Sequence, residues 1–210
     1  MKRFLITAAL CVTVLGAHGE LYGFSAITSN DPAGFASSAG ETQLYMDVSP
    51  LSGGLASLVF TNTGPEKSSI SQLFFDFAPE LNLSLAAVND GIGVDFEVSS
   101  RKPGNLPGGK ALENVFISDL TVSAGNPAPF NGINPYESME LLMNYDGAYD
   151  LFGALDNEDL RVGLHVQSFA GGYSESFIHL HSSQETIPEP GTLSILLVGG
   201  FALRWLRRMH

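Results

Sequence analysis

The sequence predicts an all-β protein, an antiparallel β-sandwich of the jelly-roll-like or immunoglobulin-like kind. Period-2 alternation recurs along the chain, Gly/Pro-rich turns separate the alternating runs, and no amphipathic helix pattern stands between them. Leu81, Leu83 and Leu85 alternate with Asn82 and Ser84, and Ile92, Val94, Phe96 and Val98 alternate with Gly93, Asp95 and Glu97. Leu160, Val162, Leu164 and Val166 repeat the pattern, as do Ser176, Ile178 and Leu180. Such spacing puts one face of each strand inward.

Less regular strands are expected at 22–28, 43–48, 55–61, 69–77, 113–122 and 137–144, which brings the total to about ten. Asn62-Thr63-Gly64-Pro65, Pro103 to Gly109, Gly125 to Pro135 and Gly171-Gly172 separate them, and Asn89-Asp90-Gly91 is expected to close a hairpin. There is no internal repeat and no low-complexity linker, so residues 20–181 read as one β-sandwich ectodomain.

The 210 residues are 44% hydrophobic and 15% charged, enough to bury a core. Bases concentrate at the two ends, and between residues 20 and 187 five bases face 21 acids, a net −16. A pI near 4.6 excludes nucleic-acid binding through a basic face.

Lys2 and Arg3 precede an apolar run from Phe4 to Leu15, and Ala17-His18-Gly19 supplies small residues at both cleavage-determining positions. Residues 1–19 therefore read as a signal peptide, a helix handled by the Sec export machinery and cut by signal peptidase after Gly19. Cys11 is the single cysteine and leaves with it, so no disulfide is expected.

At the far end a polar spacer, 182–187, leads to Pro188-Glu189-Pro190, then Gly191-Thr192 and the apolar stretch from Leu193 to Leu203, then Arg204, Trp205, Arg207 and Arg208. The prolines hold Glu189 in an extended conformation. As a helix the 13 residues from Gly191 to Leu203 reach about 20 Å, short of the roughly 30 Å hydrocarbon core, so they suit a temporary membrane helix better than a lasting anchor.

This order resembles the PEP-CTERM sorting signal of Gram-negative bacteria, a segment also labelled an ice-binding protein C-terminal domain. The resemblance implies that residues 188–210 are a substrate: an exosortase-type enzyme recognises Pro188, Glu189 and Pro190, while Arg204, Arg207 and Arg208 are the basic stop signal. The chain would pass through the inner membrane to the cell surface or extracellular matrix. Within the body, Leu73-Phe74-Phe75-Asp76-Phe77, Asn105-Leu106-Pro107-Gly108-Gly109 and His165-Val166-Gln167-Ser168-Phe169 resemble exosortase-dependent surface proteins of unknown function. That group has an acidic pair after its aromatic strand, where this chain has Asp76-Phe77.

Catalytic motifs fail on inspection. Gly104 to Lys110 begins like a phosphate loop, but Ala111 stands where Ser or Thr is required, and neither a nucleophile elbow nor a His-Glu-x-x-His sequence is present. Glu175, His179 and His181 share a strand face and offer ligands to zinc or copper, although an exposed polar face explains them better; His165, beside Leu164 and Val166, is expected to make an ordinary hydrogen bond. Asp146, Asp150, Asp156, Glu158 and Asp159 crowd a loop-rich segment with hard oxygen ligands suited to calcium, against the simpler reading of a solvated acidic loop.

The functional expectation is a non-enzymatic envelope or matrix protein that requires no cofactor. Its alternative is a carbohydrate-binding module or glycan-active enzyme, with Tyr136, Tyr145, Tyr149 and Tyr173 stacking on an extracellular polysaccharide.

Overall fold

The alternating segments pair into β1 (Glu20–Ala26), β2 (Leu44–Leu51), β3 (Leu55–Asn62), β4 (Ser69–Phe77), β5 (Ser84–Asn89), β6 (Phe96–Val98), β7 (Leu120–Ala124), β8 (Glu137–Asn144), β9 (Leu160–Gln167) and β10 (Glu175–His179). This computed structural model describes residues 19–98 and 104–180, and everything below concerns those residues. The expected signal helix, the C-terminal apolar helix and the sorting motif lie outside them, apart from Gly19, which directly precedes β1.

All neighbours are antiparallel, in the order β5-β8-β3-β2-β1-β10-β9-β4-β7-β6. β1 is divided between two partners. Glu20–Gly23 pair with β2, and Phe24–Ala26 pair with β10. Two flanks therefore meet at β1: a β2 flank (β2, β3, β8, β5) and a β9 flank (β10, β9, β4, β7, β6).

One apolar core draws on both flanks. Phe60 of β3 meets Phe75 of β4 edge to face, with ring centroids 6.4 Å apart, although the two strands are well separated in the sheet order. Tyr22, Met46, Leu58, Leu141, Leu164 and Phe177 bury beside them. A second, smaller cluster lies on the outer side of the β9 flank, where Leu106 and Phe116 of the 104–117 loop bury Phe74 and pack against Ile178.

Several expectations are corrected. Asn89-Asp90-Gly91 closes no hairpin: β5 pairs with β8 and β6 with β7, at opposite ends of the order. Leu81 belongs to a 3-10 turn, Ile92 is 98% exposed, and the strand expected over 113–122 is β7, which begins only at Leu120. Three short helices are present, α1 (Phe35–Gln43), α2 (Ala128–Asn131) and α3 (Leu151–Asp156). α1 carries no large apolar stripe, because its buried positions are Ala36, Gly40 and Gln43. Gly40 lies under the ring of Phe177, where a Cβ would come within 2.1 Å of the ring, so the smallest residue sets the approach of helix to sheet.

Candidate functional site

The segment between β1 and α1 is fastened from inside. Glu175, at the start of β10, is fully buried and accepts hydrogen bonds from the Thr28 hydroxyl (2.5 Å) and from the backbone N–H groups of Asn30 (2.6 Å) and Asp31 (2.9 Å). Thr28 Oγ1 in turn accepts from the Ser176 N–H at 2.8 Å. Asp31, itself buried, accepts from Ala33 N–H (2.9 Å) and from Ala36 N–H in the first turn of α1 (3.1 Å). The Ala33 and Ala36 N–H groups hold its carboxyl below the usual carboxylate range, against the opposing effect of burial. A side chain three residues before the N-cap Gly34 thus satisfies a backbone donor that the cap leaves open.

Beside α1 this fastening shapes a cleft of about 660 Å³. Phe169 forms its floor and is fixed by Phe177, with ring centroids 6.2 Å apart. Phe35, at the start of α1, stands on the rim with 75% of its surface exposed, and Tyr173 lies across from the helix on the 170–173 turn. Tyr173 packs over Gly171, whose φ of +82° and whose 2.7 Å gap between a built Cβ and the ring both call for glycine. The third side is set by Gln43, the last residue of α1. Its amide donates to the Glu66 carbonyl (2.9 Å) and accepts from the Glu66 N–H (3.0 Å), placing Glu66 and Lys67 at the mouth.

The side chains of Ser38, Glu66, Lys67 and Tyr173 have no hydrogen-bond or ion-pair partner among the described residues, whereas Asp31 is fully engaged. The arrangement offers an aromatic plate beside a rim of unused polar groups.

The acidic segment does not converge. Asp146 accepts from Ala148 N–H within its own turn (3.0 Å), and Glu158, at φ +64°, accepts from Asn114 (3.0 Å). Asp156 ends α3. Asp150, the N-cap of α3, and Asp159 share a shallower cavity of about 420 Å³ with Glu80 and Tyr149. Among the described residues no three His, Cys, Asp or Glu side chains form a group that would hold a metal ion.

The reading of Glu175 and His179 as an exposed polar face is overturned, because both are buried. His179 Nδ1 accepts from Val162 N–H (3.1 Å), which makes Nε2 the protonated nitrogen facing the Leu155 carbonyl (3.1 Å), and neither nitrogen is left for a metal. His181 lies outside the described residues. His165 meets Ser176 Oγ at 3.3 Å, an ordinary hydrogen bond as expected.

The four tyrosines do not build one platform. Tyr173 lines the α1 cleft and Tyr149 the shallower cavity, Tyr145 packs against the core, and Tyr136 sits over Gly64. Asp31, Glu175 and Phe169 carry the cleft; the sequence offers Glu175 only as a metal ligand on a polar strand face and gives Asp31 and Phe169 no site role, the nearest signal being the cluster of small residues around α1.

Neither a known protein family, nor a curated protein, nor a solved structure matches this chain. Among the described residues no helix is long and apolar enough to cross a membrane.

Proposed function

We propose that the chain is an exported, non-enzymatic component of the cell envelope or extracellular matrix, sorted to the surface of a Gram-negative bacterium through its C-terminal segment. The observation that carries this reading is the order of Pro188-Glu189-Pro190, 13 residues from Gly191 to Leu203, and Arg204, Arg207 and Arg208, which resembles a PEP-CTERM signal. A span too short for the bilayer gains little as a lasting anchor but serves as a hold during recognition by an exosortase-type enzyme. Arginines kept cytoplasmic would leave the body facing outward.

In this reading the ectodomain is a β-sandwich whose two flanks, turned on β1, face each other across the Phe60–Phe75 contact. The commitment of His179 to internal hydrogen bonds and the burial of Glu175 support a structural role for two groups otherwise suited to catalysis.

Mass spectrometry of the surface fraction tests the proposal. The mature form should lack everything after roughly residues 188–190, and Glu189→Ala should leave uncleaved precursor in the inner membrane. A peptide reaching Arg204 in the mature wild-type protein would refute it.

A further inference from the structure

We propose that the α1 cleft binds a segment of neutral polysaccharide, with a sugar ring stacked on Phe35 and its hydroxyl groups hydrogen-bonded by Tyr173, Glu66 and Lys67. A sugar ring has a flat C–H face and a hydroxyl edge, and the cleft presents the matching pair of surfaces. Phe35 offers a ring open to solvent at the rim, and four polar side chains beside it have no partner among the described residues. About 660 Å³ lies within the range of ligand clefts.

Other ligand classes fit less well. A wholly apolar ligand would strip water from Glu66 and Lys67 without replacing their hydrogen bonds. A polyanion would meet one ammonium, Lys67, beside the Asp31 and Glu66 carboxylates, on a body of net charge −16 between residues 20 and 187.

The chemistry is binding rather than cleavage. Glycoside hydrolysis ordinarily requires two available carboxyl groups, one of them a proton donor. Of the two in this cleft, Asp31 is spent on the N–H groups of Ala33 and Ala36, which favour its charged form and so oppose proton donation. Glu66 is left alone.

Affinity electrophoresis of the purified full-length chain, in native gels carrying hydroxyethyl cellulose, laminarin, dextran or alginate, tests the site. At least one of the three neutral polymers should retard the protein. Phe35→Ala should weaken that retardation about tenfold, near the upper end of what one aromatic contact supplies, and Lys67→Ala should weaken it less. Tyr149→Ala, in the other cavity, should leave it unchanged, with thermal melts confirming that each variant is folded. No retardation by any neutral polymer, retardation by alginate alone, or equal retardation of Phe35→Ala and wild type would overturn the proposal; release of reducing sugar would overturn its non-hydrolytic part. Sorting and sugar binding fail separately, since an uncleaved tail leaves the gel shift intact and an absent shift leaves the mature C-terminus unchanged.

Discussion

The outer faces of the two flanks differ in what covers them. On the β2 flank, Tyr45, Asp47, Val59 and Thr61, with Leu21 of the adjoining β1, line only a shallow depression, and Leu21 is 59% exposed. On the β9 flank the 104–117 loop lies across the strands. Its Leu106 sits over Gly163, where a Cβ would come within 2.6 Å of the leucine, and Phe116 lies under the Arg161 guanidinium, 5.3 Å from the ring centroid. Arg161 pairs with Asp76 and donates to the carbonyls of Asn114 (2.7 Å) and Val115 (2.8 Å), while Asp76 also accepts from Ile117 N–H (2.9 Å). A loop with a single 3-10 turn, Gly109–Ala111, thereby becomes a second apolar layer, and a sheet can bury both faces without a second sheet on each side.

The largest effect should come from breaking that fastening. Asp76→Ala leaves the Arg161 charge buried without its partner and should cost about 3–5 kcal/mol in urea denaturation; a loss below about 1 kcal/mol would mean the loop holds by apolar contact alone. Phe116→Ala removes the ring from the second cluster and should cost about 3–5 kcal/mol at full burial, less where the loop settles into the space. On the open flank Val59→Thr should stay within about 0.5 kcal/mol. If Val59→Thr proved as costly as Phe116→Ala, the contrast between the faces would be false.

A pH titration sharpens the same comparison. Burial lowers the pKa of His165, on the covered side of β9, and the Glu175 charge only partly opposes this. The unfolded chain therefore takes up the proton first, so stability should fall as pH drops below about 6.5 and level off once the lower folded pKa is passed. His165→Gln should flatten that part of the curve.

The covered flank is also where sequence reading lost detail. β4 and β8 match the expected 69–77 and 137–144, and most other strands lie within a few residues of expectation. Alternation reports a strand with one wet face, however, and β10 has buried residues on both, so the pattern assigns Glu175 and His179 to a solvent face that the strand does not have. Local pattern also carried no information on partners: Asn89-Asp90-Gly91 has hairpin chemistry, yet the chain there crosses from one end of the sheet to the other. α1 escaped because Ala36 and Gly40 bury their face by smallness. The cleft joins residues near 31–43, 66–67 and 169–175, a juxtaposition that no local window contains.

The division of β1 between two partners also sets an order of events on the ribosome. Glu20–Gly23 can find β2 early, but Phe24–Ala26 and the Thr28–Asp31 strap must wait for Glu175–His179, which is synthesised last among the paired strands. Until β10 emerges, the strand that joins the flanks keeps an open edge and the Thr28–Asp31 strap has no carboxylate to fasten on. Contacts so distant in sequence close slowly, so a nascent chain stays short of its native state until translation has passed nearly the whole described sequence, and a passage that accepts only unfolded polypeptide has that interval in which to take it.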